Sequence, residues 1–320
     1  MKSLLEIKDL KVSFLMKDKL INAVDGVSFD IPHKEIVALV GESGSGKSVT
    51  ALTAMGLIGY EGGKVLSGEI LFDDKDILKM KEKRLSGIRG KDMSMIYQDP
   101  MTTLNPAIPV GEQIRESLLI HKIASRKESK EIAVKLMEEV GIPDSPKRYK
   151  DLPASFSGGM RQRIMIAMAI CCQPKLLIAD EPTTALDVSI QSDIMNTLRD
   201  MKNKLGMSVL LITHDLGLVA QYAEKAIVMY CGKVMEESPV NALFEAPLHP
   251  YTVGLMNCIP RIDVSKDELF SIPGYVPNIS DYPPGCRFHD RCSKSKGICR
   301  EKMPDLIQIN EDRTVRCWLY

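Results

Sequence analysis

A mixed α/β fold is predicted for this chain by three observations. The segment Gly41-Glu42-Ser43-Gly44-Ser45-Gly46-Lys47-Ser48 fits the phosphate-loop pattern G-x-x-x-x-G-K-S/T, between an apolar run over Glu35–Val40 that reads as a buried strand and a helix opening over Ser48–Met55. Three more short apolar runs, Met93–Tyr97, Leu176–Asp180 and Val209–Thr213, are separated by helical segments, which suits a parallel sheet covered on both faces. Near the start, Leu4–Phe14 and Val24–Asp30 read as strands flanking a charged turn, and Gly68–Phe72 with Asp73–Asp76 reads as a hairpin arm, so an antiparallel β layer accompanies the parallel sheet.

Residues from about Val110 to Ile170 carry helical spacing, mixed charge and two proline-marked breaks, one around Pro143 to Pro153, and read as a helical insertion. Ala226–Tyr230 and Lys233–Met235 flank Cys231-Gly232, a hairpin signal that closes the core. Beyond it Pro250, Pro260, Pro273, Pro277, Pro283 and Pro284 punctuate a loop-rich tail. The expected organisation is a core of residues 1–98 and 173–237, a helical subdomain 99–172 and a C-terminal extension 238–320, which agrees with a length of 320 residues being long for one core.

Lysine plus arginine, 42, balances aspartate plus glutamate, 42, so there is no global positive field and no nucleic-acid partner is expected. Charges interrupt the apolar residues of Met1–Lys8, and no apolar run reaches the roughly 18 to 20 residues a spanning helix needs, so a soluble cytoplasmic chain that docks on a membrane partner is expected. In that reducing compartment the eight cysteines are expected to be unpaired.

The phosphate loop implies ATP or a related nucleotide with Mg²⁺. Glycines Gly41, Gly44 and Gly46 let the backbone wrap a polyphosphate, Ser43, Ser45 and Val49 belong to the same cradle, Lys47 reaches the terminal phosphates, and the Ser48 hydroxyl is a Mg²⁺ ligand. The run Leu176–Asp180 ends in two carboxylates. Asp180 is placed to hold Mg²⁺ and Glu181 to orient and deprotonate the attacking water.

Downstream of these carboxylates stands Pro182-Thr183-Thr184-Ala185-Leu186-Asp187, and upstream Phe156-Ser157-Gly158-Gly159-Met160-Arg161-Gln162; together with Gln98 in Tyr97-Gln98-Asp99-Pro100 and His214 in Ile212-Thr213-His214-Asp215 they resemble the nucleotide-binding subunit of ABC transporters throughout Leu4 to Glu237. The resemblance implies a RecA-like core with antiparallel and helical subdomains, and two such subunits head to tail with ATP between the phosphate loop of one and Ser157, Gly158 and Gly159 of the other. It further implies that Gln98 contacts Mg²⁺ and the attacking water, that His214 contacts the γ-phosphate and that Asp187 communicates across the dimer. Phe14 aligns with the aromatic that stacks on adenine, despite the insertion Leu15–Asn22; an ordinary packing role is the alternative. Met160 replaces the glutamine of many family members.

Gln98-Asp99-Pro100-Met101-Thr102-Thr103-Leu104-Asn105-Pro106, Leu248-His249-Pro250-Tyr251-Thr252 and Ile272-Pro273-Gly274-Tyr275-Val276-Pro277 extend the resemblance to the subgroup that powers dipeptide and oligopeptide uptake. This implies two membrane permease subunits, a second ATP-binding subunit in a homodimer or heterodimer, an extracytoplasmic peptide-binding protein, and residence on the cytoplasmic face of the membrane. Rival readings are an importer of nickel or another small solute, a soluble ABC ATPase outside transport, and a cassette that binds ATP without cleaving it. In the tail, Cys286, Cys292, Cys299 and Cys317 lack the tight pairs of a zinc knuckle, and some relatives of this subgroup carry a 4Fe-4S cluster there. The cluster is the expectation, as a staple for the tail, with Zn²⁺ or metal-free thiols as alternatives and His289 as a spare ligand.

Overall fold

The computed structural model describes residues 3–99, 103–184, 186–259 and 270–320. Pro100, Met101 and Thr102 of the Gln98 segment, Ala185 of the loop after Glu181 and Pro260 of the tail lie outside the described residues.

Strands β1 (Ser3–Met16) and β2 (Lys19–Pro32) form a long antiparallel hairpin. The segment Leu15–Asn22 continues it: Phe14 pairs with Ile21 and Met16 with Lys19, leaving a two-residue turn at Lys17 and Asp18 with φ of 46° and 63°. Positive φ at both turn residues matches the twist of the flanking strands. With β4 (Gly63–Phe72) and β5 (Lys75–Asp76) they make a sheet of order β2-β1-β4-β5.

The second sheet runs β11 (Ile307–Asn310), β12 (Arg313–Val315), β10 (Lys233–Pro239), β9 (Lys225–Tyr230), β3 (Ile36–Val40), β8 (Ser208–Thr213), β7 (Leu176–Asp180) and β6 (Met93–Ile96). Neighbours from β9 to β6 are parallel. Every residue of β3 is buried, because its side chains serve three cores: Val37 and Leu39 pack under the antiparallel layer, Ala38 and Val40 against the tail side, and Ile36 in the core shared with the helices. Both faces of this central strand are therefore closed, which holds the loop that follows it rigidly.

Between β6 and β7 lie the helices Val110–Ile120, Arg126–Glu139, Ser145–Arg148 and Gly158–Ile170. Val110, Ile114 and Leu118 from the first, Ala133 and Met137 from the second and Ile164, Ile166 and Ile170 from the last bury one core. Ser125 and Glu128 form a reciprocal capping box that starts the second.

The tail is more ordered than its prolines suggest. The hairpin β11–β12 extends the main sheet past β10, with Glu236 opposite Val315 and Glu237 opposite Thr314. Tyr230, Tyr251 and Phe288 stack within 4.7 to 5.3 Å of one another. Arg287 pairs with Asp25 at 2.6 Å, and the Arg316 Nε donates to the Val234 carbonyl at 2.8 Å. Among the described residues, no helix is long and apolar enough to cross a membrane.

Candidate functional site

The phosphate loop leaves the end of β3 and opens the helix Lys47–Ala54. A side chain at Gly41 would run into the Met229 carbonyl, and Gly46 combines a φ of 99° with a Cβ position 2.9 Å from the Ala23 carbonyl, so the loop's tight path requires glycine at both. Lys47 folds its ammonium back into the loop, donating to the carbonyls of Gly41 at 2.7 Å and Glu42 at 3.1 Å. Burial pushes its pKa down, while the charges of Glu181, Asp180 and Glu42 pull it back up. A cleft of about 500 Å³ opens over the loop, lined by Phe14, Ala23, Ser43, Gly44, Ser45, Gly46, Lys47, Ser48, Val49, Gln98 and Glu181, and by Val276–Ile279 of the extension.

At the ends of β7 and β8 the structure gathers the candidate catalytic side chains. Glu181 Oε2 accepts hydrogen bonds from Gln98 Nε2 at 3.1 Å and from the Thr184 hydroxyl at 2.8 Å, while its Oε1 lies 3.3 Å from His214 Nδ1. Glu181 sits at φ 47°, a left-handed conformation uncommon for glutamate, and its N–H donates to the Ile212 carbonyl at 2.9 Å. That backbone bond ties the loop after β7 to the end of β8 and turns the carboxylate toward Gln98 and His214.

Asp180 is buried beneath them. Burial raises its pKa, with a hydrogen bond from Ser48 opposing and the neighbouring Glu181 charge adding to the rise. Its Oδ1 is a buried polar atom without a hydrogen-bond partner. An acceptor left unpaired beside a serine hydroxyl, in a cluster with a second carboxylate, is a donor set suited to a hard divalent cation. Ser48 and Asp180 therefore fit Mg²⁺.

Ser157, Gly158, Gly159 and Asp187 are not brought to this cleft. Ser157 N-caps the helix Gly158–Ile170, its hydroxyl accepting from Met160 N–H at 3.4 Å, and Ser157 and Gly158 are exposed. A Cβ at Gly159 would lie 2.8 Å from Ile190 Cγ2, so glycine keeps this helix start close to the helix Val188–Leu205, whose N-cap is the exposed Asp187. Reading the sequence did not single out Thr184, Ala23 or Val276–Ile279 as parts of the site. The first stood in the loop motif, but the last two come together with the phosphate loop only through the tertiary fold.

The metal expected in the tail needs correction. Cys286, Cys292, Cys299 and Cys317 line one small cavity together with His249 and His289. Yet among the described residues no group of three or more histidine, cysteine, aspartate or glutamate side chains is placed to hold a metal ion. Burial pushes the Cys286 thiol up to about 11 and raises Cys292 and Cys317 as well, which favours neutral thiols over ligating thiolates. His289 is engaged at both ring nitrogens, Nδ1 donating to the Cys286 carbonyl at 2.8 Å and Nε2 lying 2.9 Å from Asp290. Neither the 4Fe-4S cluster nor Zn²⁺ is supported, and the staple expected of them is supplied by the aromatic stack, the arginine contacts and the bond from Cys286 N–H to the Cys299 carbonyl at 2.8 Å.

Comparison with known proteins agrees with this geometry. Residues 24–184 match the ABC transporter family and residues 235–299 match the family described as oligopeptide/dipeptide transporter, C-terminal region. The oligopeptide transport ATP-binding protein AppD of Bacillus subtilis is 51% identical over 320 residues, covering 100% of this chain and 98% of the relative. The dipeptide transport ATP-binding protein DppD of Bacillus subtilis is 47% identical (100% and 95%), and the oligopeptide transport ATP-binding protein OppD of Salmonella typhimurium is 46% identical (94% and 89%). Among solved structures, a dimeric post-hydrolysis state of the ATP-binding cassette MJ0796 bound to ADP and Pi superposes with a TM-score of 0.65 at 26% identity, over 74% of this chain and 98% of that one. The chain, an ATPase, thus belongs to the ABC transporter family, among its oligopeptide and dipeptide transport ATP-binding proteins.

Proposed function

We propose that this chain is the ATP-hydrolysing subunit of an importer for dipeptides or oligopeptides, working on the cytoplasmic face of the cell membrane. The observation that carries its chemistry is the convergence of Gln98, Thr184 and His214 on the Glu181 carboxylate, next to the unpaired Oδ1 of Asp180. The peptide cargo is supported by full-length similarity to peptide transport ATP-binding proteins and by the match of the extension. Its partners in this reading are two permease subunits, a second ATP-binding subunit and an extracytoplasmic peptide-binding protein.

In the mechanism the loop N–H groups and Lys47 bind the phosphates of ATP, and Ser48 and Asp180 hold Mg²⁺, which when bound neutralises charge on the phosphate oxygens. Gln98 and Glu181 hold the attacking water, and a Glu181 oxygen takes its proton as the water oxygen bonds to the γ-phosphorus and the bond from that phosphorus to the β,γ-bridging oxygen breaks, with ADP as the leaving group. His214 binds the γ-phosphate from the other side of Glu181. Ser157, Gly158 and Gly159 of a second subunit close the site, with Asp187 at the contact between the two.

The test is transport itself. Proteoliposomes holding this chain with its permeases and binding protein are expected to accumulate a labelled dipeptide or short oligopeptide only with ATP inside the catalytic compartment, and to lose that uptake with Glu181→Gln. Accumulation of nickel in place of peptides would overturn the cargo assignment while leaving the ATPase intact.

A further inference from the structure

The C-terminal extension reaches the phosphate loop and the cleft at separate points. Arg291 lays its guanidinium fork on the Glu42 carboxylate, Nη1 to Oε2 at 2.8 Å and Nη2 to Oε1 at 3.1 Å, with its side chain only 6% exposed. A planar fork meeting both carboxylate oxygens fixes orientation as well as distance. The fork is itself held by the Tyr230 hydroxyl at 3.3 Å and, through Nε, by the Pro273 carbonyl at 3.0 Å. The Glu42 N–H donates to the Tyr251 hydroxyl at 3.0 Å, a second contact from the extension to the same residue. Glu42 is the loop residue whose carbonyl receives Lys47 Nζ at 3.1 Å and Ser45 N–H at 3.2 Å. Its position therefore sets that of the ammonium and of the loop's N–H donors.

Val276–Ile279 line the same cleft as Phe14 and Ala23, and the turn Ile279–Asp281 packs on β2. The phosphates of a nucleotide must lie on the N–H groups of residues 43–48 and on Lys47, so its base and ribose fall to the rest of the cleft's lining, where Phe14 and Val276–Ile279 stand.

We propose that the C-terminal extension is a working wall of the nucleotide site: Arg291 is a positioning residue that holds the phosphate loop through Glu42, and Val276–Ile279 close the end that takes the base and ribose. This rests on the reading of the cleft as the ATP site. It gives the extension a direct hold on nucleotide affinity, on two parts of one ligand.

Competition of Mg-ADP and Mg-pyrophosphate against a fluorescent ADP analogue, on the full chain, separates the two ends. Lys47→Ala is the control for the cleft itself and is expected to lose both ligands. Arg291→Ala is expected to weaken both about tenfold, and Arg291→Lys, which keeps the charge but not the fork, to recover part of the loss. Asn278→Ala with Ile279→Ala is expected to weaken Mg-ADP several-fold and leave pyrophosphate unchanged. In steady-state ATP hydrolysis Arg291→Ala raises KM at constant kcat, whereas mere loss of folded protein lowers kcat at constant KM. Unaltered affinities for both ligands in the Arg291 and Asn278/Ile279 variants, or a fall in kcat alone, would overturn the proposal and leave the cleft assignment standing. Full binding by Lys47→Ala would overturn the cleft assignment instead.

Discussion

Glu181 combines a left-handed backbone with a carboxylate contacted by Gln98, Thr184 and His214, the geometry on which its proposed role as base rests. Glu181→Gln keeps the shape and loses the proton acceptor, so hydrolysis is expected to fall on the order of 10²- to 10⁴-fold while Mg-ATP binding persists, read by phosphate release beside equilibrium binding. Asp180 offers a test in pH. Its folded-state pKa is raised by burial, so between the ordinary aspartate value and the raised one the folded chain holds more protons than the unfolded chain. Stability without nucleotide therefore falls as pH rises through that window, and Asp180→Asn is expected to flatten the dependence, measured as Tm against pH, while removing Mg²⁺-dependent hydrolysis. The identity of these residues was legible because an apolar strand ending in two carboxylates is a local pattern. The φ of Glu181 and its bond to the Ile212 carbonyl were not, since both depend on β8 lying beside β7.

At the level of elements, the clearest signals came from strands buried on both sides. β3, β7 and β8 stand out because a strand covered on two faces is buried at every position and reads as a nearly continuous apolar run that needs no period to be recognised. The hairpin β11–β12 carried no such signal: Ile307–Asn310 is largely exposed and pairs only with β12, which in turn takes the edge of β10. The four tail cysteines do meet at one cavity, but burial keeps the Cys286, Cys292 and Cys317 thiols toward the neutral form and no group among the described residues is placed to hold a metal, so it was the chemistry of the cysteines that their spacing misjudged. What holds the tail is Phe288, 2% exposed, with ring centroids 5.2 Å from Tyr251 and 5.3 Å from Tyr230. Phe288→Ala is expected to cost about 3 to 5 kcal/mol, as large-to-small changes in packed aromatic cores do. Limited proteolysis should then cut residues 270–320 well before the parallel sheet, and simultaneous loss of both would show that tail and core unfold as one unit.

Across the whole molecule, the proposed ATP site is in two parts that do not meet within one chain. The phosphate loop, Asp180 and Glu181 are one; the exposed start of the helix Gly158–Ile170, capped by the Ser157 hydroxyl accepting from Met160 N–H, is the other. An exposed helix N-terminus beginning Ser-Gly-Gly is suited to phosphate oxygens, yet its own chain's cleft lies elsewhere, so the proposed pairing head to tail is what would give each ATP both halves. Two inactive variants can test this against each other. Lys47→Ala destroys the first half-site and Ser157→Arg blocks the second. In a mixed pair one composite site keeps both wild-type halves and the other carries both defects. If chains exchange freely at equal amounts, half the pairs are mixed and each has one working site in two, so about a quarter of wild-type hydrolysis is expected to return on mixing. Recovery would require that the halves act across chains. No recovery would assign the second half-site to a different ATP-binding chain, and undiminished hydrolysis by Ser157→Arg alone would remove the signature from the catalytic site.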